Sequence, residues 1–332
     1  MNKIIKLFLL ILLILFIFLL GWWSREQVNQ NKLLSPMAEK IVNIKPKPLE
    51  QYTFDNLQAT QFTSNQISLG ETLLEDEQYT SYLFSFKTSN KKVTGQANIP
   101  QGKGPFPVIV MLRGWVDPAI YETGTGTKNA AKVFAQNGYL TLAPDFLGYG
   151  KSDLESVDVF EARLQKTTTV LDLLASIDTF PQVNSEKIGI WGHSNGGQIA
   201  LAVLEITGKS YPTTLWAPVS KPFPYNILYY TDEFEDYGKA LRKSLAAFEQ
   251  DYDANLYSIH NYYDWITAPL QIHQGTADDS VPFEWNQELA DSLEELEKEA
   301  TFYQYSGADH DLRPSWNLVV VRDLNFFINN LK

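Results

Sequence analysis

The chain has 332 residues, of which 44% are apolar and 13% aromatic, enough to bury a sizeable core and to exclude a disordered polymer. With 27 Lys and Arg against 39 Asp and Glu, its net charge of −12 argues against nucleic acid as a partner, because phosphate binding needs clustered cations. There is no cysteine, so disulfides and thiolate chemistry fall away. No two of the four histidines, His193, His260, His273 and His310, stand at metal-ligand spacing, and neither a metal nor a cofactor is expected.

After Lys3 and Lys6 the chain is uncharged and apolar from Leu7 to Trp23, at the short end of what spans a bilayer. A core helix of a soluble domain would carry a polar face over such a length. Two readings stand, a cleaved signal peptide and a retained membrane anchor. No small-x-small cleavage site follows; Trp22, Trp23 and Arg25-Glu26 come instead, which favours an anchor or uncleaved signal over residues 1–23. Lys3 and Lys6 are answered by Arg25, Lys32 and Lys40, so charge does not orient the segment, but large C-terminal domains are exported largely regardless. The expectation is a membrane-anchored protein with its globular part outside the cytoplasm, or a secreted one if the segment is cleaved. Residues 24–50 are polar, end in Lys45-Pro46-Lys47-Pro48 and suit a stalk, with the globular body over 51–332.

The body opens on an antiparallel hairpin: Tyr82–Lys87 alternates, Thr88–Lys92 turns, and Val93–Ile99 resumes. Pro107–Leu112 is then a continuous apolar run, as in a strand buried on both faces. Strands and helices alternate from there: a helix over Ala130–Gln136, a strand over Tyr139–Pro144, a helix over Phe160–Ile177, and a strand leading to Gly192. Further strands fall at Thr213–Pro218, Pro269–His273 and Thr301–Tyr305, with a closing helix near Trp316–Asn329. An insertion over 219–268, rich in Tyr, Phe, Asp and Glu, is a candidate lid. Repeated βα units after an antiparallel start imply an α/β protein with a mostly parallel sheet flanked by helices, whose site lies at the carboxyl ends of the strands.

At one such end stands Gly192-His193-Ser194-Asn195-Gly196, a G-x-S-x-G sequence between a strand and a helix. The pattern puts the serine on a strained turn and aims the first helical amides at whatever it attacks. A serine hydroxyl needs a base to take its proton and an acid to orient that base, in the chain order Ser, acid, His. His310 follows the last strand and is the candidate base. For the acid, the loop Gln274–Pro282 offers two adjacent aspartates, Asp278 and Asp279, between which residue types alone do not choose. An oxyanion needs two amide donors, Asn195 after the serine and Trp115 in the loop Leu112–Pro118. Tyr149, Tyr229 and Tyr230 are candidate substrate contacts. The carboxylates of the insertion, Asp232, Glu233, Glu235 and Asp236, could meet a substrate ammonium or simply be solvated.

Gly192–Gly197, the loop Asp145-Phe146-Leu147-Gly148-Tyr149-Gly150-Lys151-Ser152, His273–Pro282 and the late Asp309-His310 together resemble the catalytic domain of the prolyl oligopeptidase family, over about residues 82–331. The resemblance implies an α/β-hydrolase fold and a serine peptidase working on small peptides, with esterases among stand-alone relatives. It also selects Asp278, since the family's acid lies three residues before the valine, here Val281. Two departures stand out: Arg113-Gly114 replaces the family's frequent His-Gly, and only about fifty residues separate the expected anchor from the hairpin, leaving no room for a β-propeller. A reading from another class is a catalytically silent surface binding protein on the same fold.

Overall fold

Val108 to Leu112 has no exposed side chain, which fits a strand covered on both faces, and it forms the centre of the sheet. The structure is a computed structural model describing residues 15–23, 46–180 and 182–331. It separates into two units, Met1–Pro46 and Lys47–Lys332. In the first, residues 15–23 form an exposed helix, α1. Most of the expected anchor and stalk lies outside the described residues, and among the described residues no helix is long and apolar enough to cross a membrane.

The second unit starts with α2 (Phe54–Ala59) and the strands β1 (Ser68–Glu75), β2 (Tyr79–Thr88), β3 (Lys91–Pro100) and β4 (Phe106–Leu112). Next come α3 (Lys128–Gln136), β5 (Leu140–Pro144), α4 (Val159–Ser176), β6 (Val183–His193), α5 (Asn195–Thr207) and β7 (Thr213–Trp216). The insertion contributes α6 (Tyr225–Leu228) and α7 (Lys239–Phe248), and β8 (Leu270–Gly275), α8 (Phe283–Glu295), β9 (Ala300–Tyr305) and α9 (Trp316–Leu331) close the chain.

Nine strands make one sheet in the order β1-β2-β3-β5-β4-β6-β7-β8-β9. The first three strands and β5 pair antiparallel, and β5 through β9 pair parallel. The β2–β3 hairpin turns through Ser89 and Asn90, both at positive φ (45° and 65°), the geometry whose twist matches a two-residue hairpin. Strand β1 has no counterpart in the sequence reading. Every one of its residues is exposed, so no apolar alternation marks this edge strand.

The second unit begins ahead of the expected edge at residue 51. Leu49 and Tyr52 are buried with Ile227, Leu245, Phe248 and Tyr257 of the insertion. The backbone of Leu49 donates to Tyr252 Oη (3.2 Å) and accepts from Tyr257 Oη (3.1 Å). The last residues assigned to a stalk are therefore part of the packed body.

Candidate active site

Strand β6 ends at His193 and α5 starts at Asn195, so Ser194 alone makes the turn, at φ 55° and ψ −120°. This conformation costs a non-glycine residue about 1–3 kcal/mol and persists only where the surroundings enforce it. Here the Ser194 amide donates to Trp216 O (2.8 Å) on β7, and its carbonyl accepts from Gly197 (2.9 Å) and Val219 (3.0 Å). The flanking glycine is required by contact: a Cβ on Gly196 would lie 2.0 Å from the carbonyl oxygen of Leu112. Helix α5 thereby reaches the end of β4, and Gly114 passes over the serine, where a Cβ would stand 3.0 Å from that of Ser194.

His310, in the loop after β9, presents Nδ1 to both carboxylate oxygens of Asp278, at 3.0 and 2.9 Å. The Asp278 side chain is fully buried, and Oδ1 accepts the Ser280 and Val281 amides, each at 2.9 Å. Gln274 donates to Oδ2 (3.0 Å) and is itself held by Asn286 at 2.6 Å. Burial pushes this carboxyl up, but the His310 hydrogen bond and charge, with the two amides, outweigh it and leave it below its ordinary value. Asp279 on the same loop is exposed and meets only the Ser280 hydroxyl.

His193, beside the serine, packs against His310 with ring centroids 4.7 Å apart and the rings tilted by 39°, and its Nε2 contacts His310 O at 3.1 Å. Burial, and then the charge of His310, push His193 down to about 4, so it is neutral and donates through Nε2 to that carbonyl. The Ser194 hydroxyl and His310 Nε2 have no hydrogen-bond partner among the described residues. The structure thus joins His310 to Asp278 but shows no hydrogen bond between Ser194 Oγ and His310 Nε2.

The loop after β4 is organised by Arg113. Its guanidinium lies 4.1 Å from the Tyr149 ring centroid and 4.5 Å from that of Tyr121, and donates to Gly114 O and Asp145 O, each at 2.9 Å. The buried Asp145 carboxylate accepts from Thr94 (2.6 Å), Tyr121 (2.7 Å) and Thr123 (3.0 Å). Tyr149, a candidate substrate contact, is buried with its hydroxyl on Val116 O (3.0 Å), where it supports this loop. Trp115 is 69% exposed. Neither the Trp115 nor the Asn195 amide donates to a described residue.

Tyr229 and Tyr230 pack on Trp285 (4.7 and 6.3 Å between centroids), above the Asp278 loop. In the insertion Asp232, Glu233 and Glu235 are exposed, while Asp236 caps α7 by accepting the Gly238 and Ala240 amides, each at 2.8 Å. Sequence reasoning missed two supporting residues, His193 and Gln274. A histidine beside the serine and a glutamine four positions before the aspartate were the available signals. Among the described residues no group of three or more His, Asp and Glu side chains could hold a metal.

A mixed sheet of this order, antiparallel at its first edge and parallel thereafter, with a strained serine between a strand and a helix, defines an α/β-hydrolase. An acetyl xylan esterase from Paenibacillus sp. R4 superposes with a TM-score of 0.64 at 16% identity, covering 85% of this chain and 95% of that one. The acylaminoacyl peptidase of Pyrococcus horikoshii gives 0.57 at 20% identity over 77% of this chain and 42% of that one. In sequence the chain is 23% identical to the uncharacterized peptidase YtmA of Bacillus subtilis (strain 168), across 75% of this chain and 93% of that protein. Residues 126–332 match the model of the prolyl oligopeptidase family. The chain belongs to that family, and it is a serine hydrolase.

Proposed function

We propose that Ser194 is the nucleophile of a peptidase or esterase that works through an acyl-enzyme, with His310 as base and Asp278 as its orienting acid. The observation that carries this reading is the two-oxygen contact between Asp278 and His310 Nδ1, which fixes the tautomer that leaves Nε2 as the free acceptor. Ser194 Oγ attacks the acyl carbon while its proton passes to His310 Nε2. The oxyanion is received by the Asn195 and Trp115 amides. His310 then gives the proton to the departing amine or alcohol as its bond to the acyl carbon breaks. A water repeats the sequence on the acyl-enzyme, releasing the acid and restoring the serine.

Family membership favours peptide bonds, and esters enter by the same chemistry because both lead to one acyl-enzyme. Hydrolysis of 4-nitrophenyl acetate with a pre-steady-state burst, both lost in Ser194→Ala, is the expected result. Turnover that survives in a folded Ser194→Ala protein would dismiss the nucleophile. The apolar run from Leu7 to Trp23 supports attachment to a membrane, with the catalytic unit beyond the cytoplasm.

A further inference from the structure

A cavity of about 80 Å³ opens beside Asn195, between α4, α5 and the insertion. Along α5 it is floored by Gln198, Ile199, Ala202 and Ile206, residues on one helical face that spans about 12 Å at 1.5 Å per residue. Its roof comes from Phe223, Ile227 and Phe248 of the insertion. Apart from Gln198 these side chains are apolar.

Into this recess α4 brings two cations, Arg163 and Lys166. Neither has a hydrogen-bond or ion-pair partner among the described residues, although the protein carries an excess of twelve negative charges; Arg163 reaches solvent and Lys166 is half-buried. Nearby carboxylates do not serve them. Glu161 is taken by Tyr52 (3.0 Å) and Ser156 (2.6 Å), and Glu155, the acid they feel most, is exposed against the Gly148 turn without an ion pair to either. The buried Asn226 also lines the cavity with an unpartnered Oδ1. Because amide oxygen and nitrogen are interchangeable in placement, the group can equally donate there. Burial, followed by the charges of Arg163 and Arg113, brings Lys166 down to about 8 against the opposing pull of Glu155.

The lining includes Asn195, next to Ser194, but not Ser194 itself. A leaving group must depart toward the histidine that protonates it, and His310 is not among the lining residues, which instead follow α5 away from the His193–His310 contact. We infer that this cavity selects an acyl group whose apolar chain ends in a carboxylate, received by Arg163 and Lys166 with the Asn226 carboxamide. The walls take the chain, and an anion at its end can pair with two cations that form no ion pair with another side chain.

This inference rests on Ser194 acting as the nucleophile, and its test separates the two. The mono-4-nitrophenyl ester of pimelic acid and 4-nitrophenyl heptanoate have equal chain length, and the free carboxylate is too distant to attack its own ester readily. The expected kcat/KM ratio is at least tenfold in favour of the pimelate ester, falling at least tenfold in R163Q/K166Q. In the wild type it should also fall between 20 mM and 500 mM NaCl, since screening weakens a solvent-reached ion contact. A wild-type ratio at or below one, or a ratio unmoved by both the substitutions and the salt, overturns it. Calorimetry on Ser194→Ala with monomethyl pimelate and methyl heptanoate reads the cavity without turnover. Tighter binding of the pimelate ester upholds the cavity even if hydrolysis fails, and equal or weaker binding overturns it even if Ser194 proves catalytic.

Discussion

His310 Nδ1 sits 3.0 and 2.9 Å from the two oxygens of Asp278, while Asp279, one residue on, faces solvent. Asp278→Asn would offer the ring an amide and favour the wrong tautomer, so kcat should fall by about 10⁴. Asp279→Asn touches only the Ser280 hydroxyl and should stay within about threefold, as surface changes usually do. Steady-state kinetics on the two variants decides, and the reverse ranking would transfer the role to Asp279.

Arg113 ties the loop that carries Trp115 to Asp145, Tyr121 and Tyr149. Lysine lacks the planar fork and stacks less well. Arg113→Lys should lower kcat and kcat/KM together by about tenfold to a hundredfold with KM little changed, the pattern of an interaction made in the transition state. A rise in KM alone would show that the loop binds substrate instead.

Glu205 on α5 is fully buried, and neither of its carboxyl oxygens has a partner. Burial, with a smaller push from Asp264, raises this carboxyl well above the ordinary glutamate value. The folded chain keeps a proton that the unfolded chain has lost, so the stabilisation is complete below the unfolded glutamate range, near pH ~4.3, and is lost as pH rises through the folded value. Relative to Glu205→Gln, the wild type should lose up to about 1.4 kcal/mol per pH unit across that window. Urea midpoints measured from pH 4 to 9 test this, and parallel curves for the two proteins would remove the argument.

Removing residues 1–46 should give a soluble, active protein, whereas the full chain should fractionate with membranes. Starting at Gln51 removes Leu49, buried against the insertion, and should cost about 2–5 kcal/mol, as deletion of a buried leucine does. Urea midpoints of the two truncations compare them. A full chain found in the soluble fraction would count against the anchor.

The parallel half of the fold was legible because strands covered on both faces leave unbroken apolar runs, as Val108–Leu112 does, and because Gly196 and Ser194 mark a turn that few residue types can make. Edge strand β1 was not legible, since exposed residues carry no alternation. The buried Val170, Leu173 and Leu174 account for α4 as a helix on the core but carry no signal for Arg163 and Lys166. Their neighbours across the cavity, Asn195, Phe223 and Asn226, come from distant parts of the chain. The acidic residues of the insertion drew attention by composition, yet it is the insertion's apolar and amide side chains that reach the cavity beside Asn195. Local pattern identifies elements; which faces meet is decided by packing.

The most direct test of the account is covalent. Treating the protein with a fluorophosphonate and mapping the adduct by mass spectrometry should give one modified site, Ser194, labelled about 10³-fold or more slowly in His310→Ala because the serine has lost its base. An adduct on another residue, or undiminished labelling of Ser194→Ala, would contradict it.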